Sequence, residues 1–166
     1  MLTANKAKRP YLRKSEMIDE KLAFAVPLLE EGVDILKKMG MKILDLEKNK
    51  ARIKMPIEPN RNHIGSVYGG SLYCLAEFSG GVIFAACFDH AKYFPIVKEF
   101  SIRYRRPATT DMYLDVSLSP DEAAHISARA DEKGKADFSL DLELKDESGQ
   151  VCCTARGTWQ LRKIPS

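Results

Sequence analysis

The sequence predicts an α+β fold in which a long antiparallel sheet wraps around one central buried helix, with an extra helix on the N-terminal side. The segment 69–88 is too long for a strand and apolar on most sides, which indicates a buried helix. After Asp89, apolar and polar residues alternate in run after run, as in strands with one wet face. Such a sheet must bury its apolar face, and the apolar helix can fill it.

The composition is that of a single globular domain. The chain has 166 residues, of which 45% are hydrophobic and 30% charged. We expect one domain over 16–166, after a basic and flexible arm over 1–15 that carries no acidic residue. The arm lacks the apolar core of a signal peptide, and the run 82–88 is too short to span a bilayer. We therefore expect a cytoplasmic protein without a membrane partner.

Other ligand classes are disfavoured by residue type. The arm could contact an anion, but no aromatic interleaving or known motif points to a nucleic-acid partner. The four cysteines form no C-x-x-C pair and the three histidines are scattered, so we expect free buried thiols and no metal site.

The N-terminal elements are predicted as a helix followed by a hairpin. Apolar residues recur at three- and four-residue spacing from Glu16 to Met39, and Pro27 breaks or restarts this helix. Strands are predicted at 41–47 and 50–57, joined by a short turn. A loop leads from there to the central helix, which is expected to open at its first two glycines.

Five alternating segments predict the strands of the second half. Turn-forming residues separate them, including Pro120-Asp121 before the third. The predicted strands are 100–104, 112–118, 124–131, 138–144 and 151–161.

Glu77 is the only formal charge between Asn62 and Phe88. Ionised carboxylates are seldom buried without a partner, because losing water costs several kcal/mol. Glu77 is therefore paired (with backbone groups, Arg103 or Arg105), protonated, or functional. Desolvation should raise its pKa towards neutrality, which suits a general base or a nucleophile.

The residues around the central helix resemble those of hotdog-fold acyl-CoA thioesterases of the phenylacetyl-CoA (PaaI) type. Those proteins carry Asn, then His-Gly-Gly beginning six residues on, then Asp or Glu seven residues after the second Gly. Here Asn62 stands six residues before Tyr68-Gly69-Gly70, and Glu77 falls seven after Gly70. The resemblance spans about residues 41–162. It implies a hotdog fold, thioester hydrolysis, and no cofactor apart from the coenzyme A of the substrate.

The resemblance implies a catalytic role for each residue of this pattern. The first N–H groups of a helix have no internal partners, so those of Gly69-Gly70 would bind the oxyanion. Glu77 would activate water or attack the carbonyl of a thioester held by the neighbouring subunit. Asn62 would position the reactants, Tyr68 would donate a hydrogen bond in place of His, and Ser71 would assist Glu77. There are also structural alternatives: Gly69 and Gly70 only allow the helix to pack against the sheet, and Asn62 only forms a turn.

Further residues are candidates for binding the acyl-CoA or acyl-carrier-protein substrate. A loop histidine can carry a proton, an aromatic residue can line an acyl pocket, and planar guanidinium groups suit the phosphates of coenzyme A. Each of these residues also has an ordinary structural explanation, as part of a loop, of the core or of a solvated strand face. The candidates are His63, Tyr73, Arg103, Arg105 and Arg106.

Three functions stay open on the sequence. The first is a thioester hydrolase that works as a homodimer or a dimer of dimers, because half a hotdog sheet leaves its edge and its site incomplete. The second is a non-catalytic acyl-CoA or lipid-binding module, which Tyr68 at the histidine position favours. The third is a hydratase or dehydratase, which would need His63 beside the carboxylate.

Overall fold

The computed structural model describes residues 16–165, so the predicted basic arm over 1–15 lies outside the described residues. Within that range the chain forms seven strands, four α-helices and one short 3-10 turn. In chain order these are β1 (Met17–Ile18), the 3-10 turn (Glu20–Leu22), α1 (Ala25–Glu31), α2 (Asp34–Met39), β2 (Lys42–Glu47), β3 (Lys50–Met55), α3 (Gly69–Cys87), β4 (Tyr93–Tyr104), β5 (Met112–Ser117), α4 (Pro120–Lys133), β6 (Lys135–Lys145) and β7 (Val151–Lys163).

All seven strands belong to one sheet with the order β1-β2-β3-β5-β6-β7-β4. β1 runs parallel to β2, and every other pairing is antiparallel. The long strand β4 closes one end of the sheet. It pairs with β7 on one side, and its other edge has no neighbouring strand within residues 16–165.

The helix α3 is the core element of this fold, as the sequence predicts. Ten of its 19 residues are buried, and it packs against β3, β4, β5, β6 and β7. By length and composition alone α3 could also cross a membrane, but half of its apolar window is already covered by the rest of the chain. Its C-terminal end is closed by the β2–β3 turn, where the Asn49 amide donates to the Ala86 carbonyl at 3.1 Å.

The indole of Trp159 on β7 locks α3 to the sheet. It is 2% exposed and lies where a Cβ on Gly80 would stand, and it occupies the corresponding space at Gly157 of its own strand. The rings of Phe100 and Phe138 pack against it, with centroids 5.9 and 6.0 Å away. Two glycines therefore create the slot that the largest side chain of the core fills.

Residues 120–133 form a helix, so the predicted strand at 124–131 and the turn at Pro120-Asp121 are wrong. Ser119 and Glu122 form a capping box: the Glu122 amide donates to the Ser119 hydroxyl at 3.2 Å, and the Ser119 amide donates to the Glu122 carboxylate at 2.9 Å. Pro120 fits the first helical turn, where its missing N–H costs nothing. The residues buried against β6 and β7 follow helical spacing: Ala123, Ile126 and Ala130.

The predicted helix from Glu16 to Met39 is wrong in its extent. The chain begins with β1 and a 3-10 turn, and the helical part is divided at Gly32 and Val33 rather than at Pro27. Pro27 lies in the first turn of α1, which tolerates proline. Val33 is extended, with φ −122° and ψ 110°, and starts the new helix α2.

Candidate active site

The start of α3 is fixed by hydrogen bonds on both sides of the chain. The Asn60 side chain is buried and donates to two backbone carbonyls at 2.7 and 2.8 Å. The Asn60 backbone carbonyl accepts from the Tyr68 amide at 2.7 Å. The Val67 amide donates to the Ala108 carbonyl at 2.8 Å. Tyr68 is then extended, with ψ 134°, so that the helix begins at Gly69.

Two backbone amides at this helix start remain without acceptors. The Ser71 and Leu72 amides both donate to the Tyr68 carbonyl, at 3.0 and 3.2 Å. The Gly69 and Gly70 amides bond to no acceptor among residues 16–165. Because a helix start carries partial positive charge, these two N–H groups are suited to bind an anionic oxygen.

Two tyrosine rings flank the glycine pair. The Tyr68 ring occupies the space that a Cβ on Gly70 would take. The Tyr104 ring, at the end of β4, lies 3.4 Å from the Cβ position of Gly69, and its hydroxyl donates to the Gly69 carbonyl at 2.8 Å. Tyr68 is 59% exposed and Tyr104 is 50% exposed, so these rings cover the helix start without burying it.

Asn62 organises the loop before the helix. Its Oδ1 accepts from the Ile64 and Ser66 amides at 3.0 and 3.1 Å, and its Nδ2 donates to the Ser66 hydroxyl at 2.9 Å. The Asn62 side chain thus forms a turn, as one of the sequence alternatives has it. The second Nδ2 hydrogen is not used by these bonds and can still reach a ligand.

Two clefts of about 350 Å³ each open beside the start of α3. The β4-side cleft combines an apolar wall with two arginines at its rim. Its lining is Asn62, Ile64, Ser66, Val67, Gly69, Leu72, Tyr104, Arg105, Arg106, Pro107 and Ala108. The loop-side cleft is lined by Pro59, Asn60, Arg61, Asn62, His63, Tyr68 and Ser71. The helix start therefore collects most of the predicted site residues.

The three candidate arginines do not lie together. Arg105 and Arg106 line the β4-side cleft, whereas Arg103 faces solvent in a separate groove with Asp141 and Arg156. Arg105 is partly engaged, since its Nε donates to the Thr154 hydroxyl at 3.1 Å. The Arg106 guanidinium makes no hydrogen bond or ion pair with any described residue.

Glu77 is half-buried and has no partner within residues 16–165. No hydrogen bond or ion pair joins it to Arg103 or Arg105, the partners that a purely structural role would need. Burial raises the pKa of Glu77, and desolvation is the cause. Glu77 lies outside both clefts, because seven residues of helix place it about 10 Å along the axis from Gly70.

The aromatic side chains on and next to α3 divide between core and surface. Phe84 and Phe88 are buried and stack on each other, with centroids 6.1 Å apart, so the ordinary core accounts for them. Tyr73 is 39% exposed and packs edge-on against Phe100 at 4.9 Å. It lies one turn before Glu77, on the half-exposed side of α3.

Two contributions to the site are absent from the sequence predictions. Tyr104 lies in the predicted strand 100–104, but its hydroxyl has no sequence signal that connects it to Gly69. Ser66 completes the Asn62 turn; the spacing Asn-x-x-x-Ser is the only trace of this contact in the sequence.

Comparison with known proteins places this architecture among characterised folds. A family model described as a domain of unknown function (DUF4442) matches residues 34–161. A solved structure from Pseudomonas aeruginosa, of unknown function and described as a probable thioesterase, is 38% identical, with a TM-score of 0.83 over 90% of this chain and 100% of that one. These relatives confirm the predicted hotdog fold.

Two more distantly related proteins are also similar to this chain. A Shewanella oneidensis structure, described as a proposed thioesterase, has a TM-score of 0.72 at 17% identity and covers 89% of this chain and 100% of its own, which shows the fold alone. A curated relative from Saccharolobus solfataricus, named as a proposed esterase, is 22% identical over 135 residues, which is 81% of this chain and 87% of that protein.

Proposed function

Because the chain belongs to the DUF4442 family and shares the hotdog fold with its structural relatives, we propose that it is a thioester hydrolase acting on acyl-CoA or acyl-carrier-protein substrates. One observation carries the proposal. Within residues 16–165, a half-buried carboxylate without a partner and two helix-start amides without acceptors lie on the same helix, in a chain whose relative at 38% identity is described as a probable thioesterase. The spacing of these groups is the one that resembles the PaaI-type enzymes.

The distance between these groups favours a site shared by two chains. A carbonyl held by the Gly70 amide is about 10 Å along the helix from Glu77 of the same chain, which is beyond the reach of a glutamate side chain and one water. A second α3 packed alongside the first, and running in the opposite direction, brings its Glu77 to the first helix start. We therefore place each site between two subunits.

The free edge of β4 is where a second copy would pair. β4 has twelve residues, and its outer edge is unpaired within the described chain. Phe94, Ile96 and Val97 on this strand are each at least 36% exposed. A long apolar edge strand favours pairing with another strand, so we propose a homodimer joined along β4.

The proposed reaction uses the amides and the carboxylate together. The thioester oxygen accepts hydrogen bonds from the Gly69 and Gly70 amides, which stabilise the negative charge as the carbonyl carbon is attacked. Glu77 of the adjacent subunit takes a proton from the attacking water, or attacks directly to form an anhydride that water then opens. The C–S bond breaks, the thiolate leaves and is protonated, and a carboxylic acid remains.

The remaining candidates fit around this centre. The second Nδ2 hydrogen of Asn62 is available to the thioester, and Tyr68, Ser71 and His63 line the loop-side cleft. Arg106 has the free guanidinium at the rim of the β4-side cleft, so it is the best placed of the arginines for the phosphates of coenzyme A.

Thiol release from a panel of acyl-CoAs tests the proposal. Glu77→Gln should lower kcat by about 10²–10⁴-fold, because it removes the base while keeping the side chain's shape. Glu132→Gln, on the exposed surface of α4, is the matched control and should retain wild-type activity. If the wild-type protein releases no thiol but its melting temperature rises with acyl-CoA, the non-catalytic binding module is the correct alternative.

Mixing two inactive variants tests the shared site. Gly69→Pro removes one proposed donor amide and suits the first helical position, since Tyr68 is already extended. A refolded equimolar mixture with Glu77→Gln should recover about a quarter of wild-type activity, because half of the random dimers are hybrids with one intact site. No recovery would mean that both groups act within one chain.

A further inference from the structure

Tyr104 makes the one side-chain hydrogen bond to the glycine pair that the described residues show: its hydroxyl donates to the Gly69 carbonyl at 2.8 Å. That carbonyl and the Gly70 N–H belong to the same peptide group. A hydrogen bond accepted at the oxygen of an amide polarises the whole group and strengthens its N–H as a donor. The Gly70 N–H is also one of the two amides at the helix start that have no acceptor in the described part of the chain.

We propose that Tyr104 is a positioning residue, which orients and polarises the Gly69–Gly70 peptide so that the Gly70 amide can stabilise the thioester oxyanion. This inference rests on the proposed function. It adds a residue that makes no contact with the reacting atoms and acts through the backbone. It also explains why the last residue of β4 carries a phenol rather than a simple apolar ring.

The position of Tyr104 suits this role. Its backbone pairs with Cys153 of β7 in the regular register of the β4–β7 ladder, so the ring projects from a fixed strand. The ring packs 3.4 Å from the Cβ position of Gly69, which is an ordinary van der Waals contact. The Gly69–Gly70 peptide is thus held from two sides. On one side is the Tyr104 hydroxyl, which projects from β4, and on the other is the Tyr68 amide, which is hydrogen-bonded to Asn60.

The hydroxyl keeps its proton under the conditions of catalysis. Burial raises the pKa of Tyr104, and the neighbouring Cys153 and Tyr68 act in the same direction. The phenol is therefore a neutral donor at neutral pH. Its 50% exposure shows that it is not a main part of the core, so loss of the hydroxyl should leave the fold intact.

The variant Tyr104→Phe removes only the hydroxyl and keeps the ring. We expect kcat for acyl-CoA hydrolysis to fall about three- to tenfold with KM changed less than about twofold, a smaller loss than that of a donor itself. The ¹⁵N resonance of the Gly70 amide should move upfield, because its peptide carbonyl loses one hydrogen bond. Tyr93→Phe, at the opposite end of β4, loses a tyrosine hydrogen bond to Asp131 and is the matched control that should change neither readout.

The outcomes separate this inference from the proposed function. A Tyr104→Phe protein with wild-type kcat, or with a change in KM alone, overturns the positioning role while hydrolysis by the wild type stands. An unchanged Gly70 resonance also overturns it. If the wild type hydrolyses no thioester, the proposed function fails, and the oxyanion role of Tyr104 is overturned with it even where the resonance moves.

Discussion

Two glycine pairs lie in α3, Gly69-Gly70 at its start and Gly80-Gly81 in its middle, and aromatic rings pack against both. In the middle, the Trp159 indole is 2% exposed and fills a slot that no other side chain can share. At the start, the tyrosine rings over the glycines are half exposed and face clefts. The same sequence feature therefore serves packing in one place and access to backbone amides in the other.

The difference follows from what surrounds each ring. Trp159 is enclosed by Phe100, Phe138 and the helix, so it has no alternative position. Tyr68 stands at the surface and can rotate away at little cost. A glycine opposite an enclosed ring is a requirement of the core, whereas a glycine opposite an exposed ring should be exchangeable without unfolding the protein.

The largest expected effect on stability is that of Gly80→Ala. The added methyl overlaps the Trp159 indole, and we expect a loss of about 3 kcal/mol in the free energy of unfolding. Gly81→Ala is the matched control: its Cβ would meet Phe78 at 3.7 Å, an ordinary contact, and it should stabilise α3 by up to about 1 kcal/mol. Urea denaturation followed by circular dichroism measures both. Equal effects at the two positions would contradict the packing difference.

The same substitution at the helix start should act on activity instead. Gly70→Ala displaces the exposed Tyr68 ring, so we expect a change in unfolding free energy below about 1 kcal/mol. The methyl stands beside the proposed oxyanion amide and should lower kcat/KM about tenfold by preventing close approach of the carbonyl. Steady-state hydrolysis and urea denaturation of the same preparation test this. A loss of stability as large as that of Gly80→Ala would remove the distinction between the two pairs.

The smallest expected effect concerns Glu77, which lies between the two pairs. Burial raises the pKa of Glu77, so the folded protein binds this proton more tightly than the unfolded chain does, and stability is lost as the pH rises through the folded pKa. Glu77→Gln should match the wild type below about pH 4, where the unfolded chain is also protonated, and exceed it in stability near pH 7.5. Denaturation at both pH values and one protein concentration measures this. A less stable variant at neutral pH would show that the carboxylate is paired.

The central part of the fold was readable from the sequence, because α3 is apolar on most sides and the long strands alternate strictly. The helix α4 was not, since Ala124, Ile126, Ala128 and Ala130 alternate like a strand while the residues that pack follow helical spacing. The capping box at Ser119 and Glu122 was the signal that could have decided between them. A helix-start motif is therefore stronger evidence here than local alternation.

The site was only partly readable. The glycines and Glu77 lie on one helix, so their spacing in the sequence fixes their relative positions along the helix axis. The arginines follow from strand geometry: Arg103 alternates to the solvent face of β4, while Arg105 and Arg106 come after the strand ends and turn towards the cleft. The contact of Tyr104 with Gly69 joins residues 35 positions apart, and no local pattern can encode it.

Trp159 is the single tryptophan of the chain, and it sits where α3 meets the sheet. Its emission spectrum is therefore a built-in reporter of one event, the seating of the central helix in its slot. A state that keeps its strands but releases the helix would expose the indole and shift its fluorescence to the red, before the far-ultraviolet signal of the backbone changes.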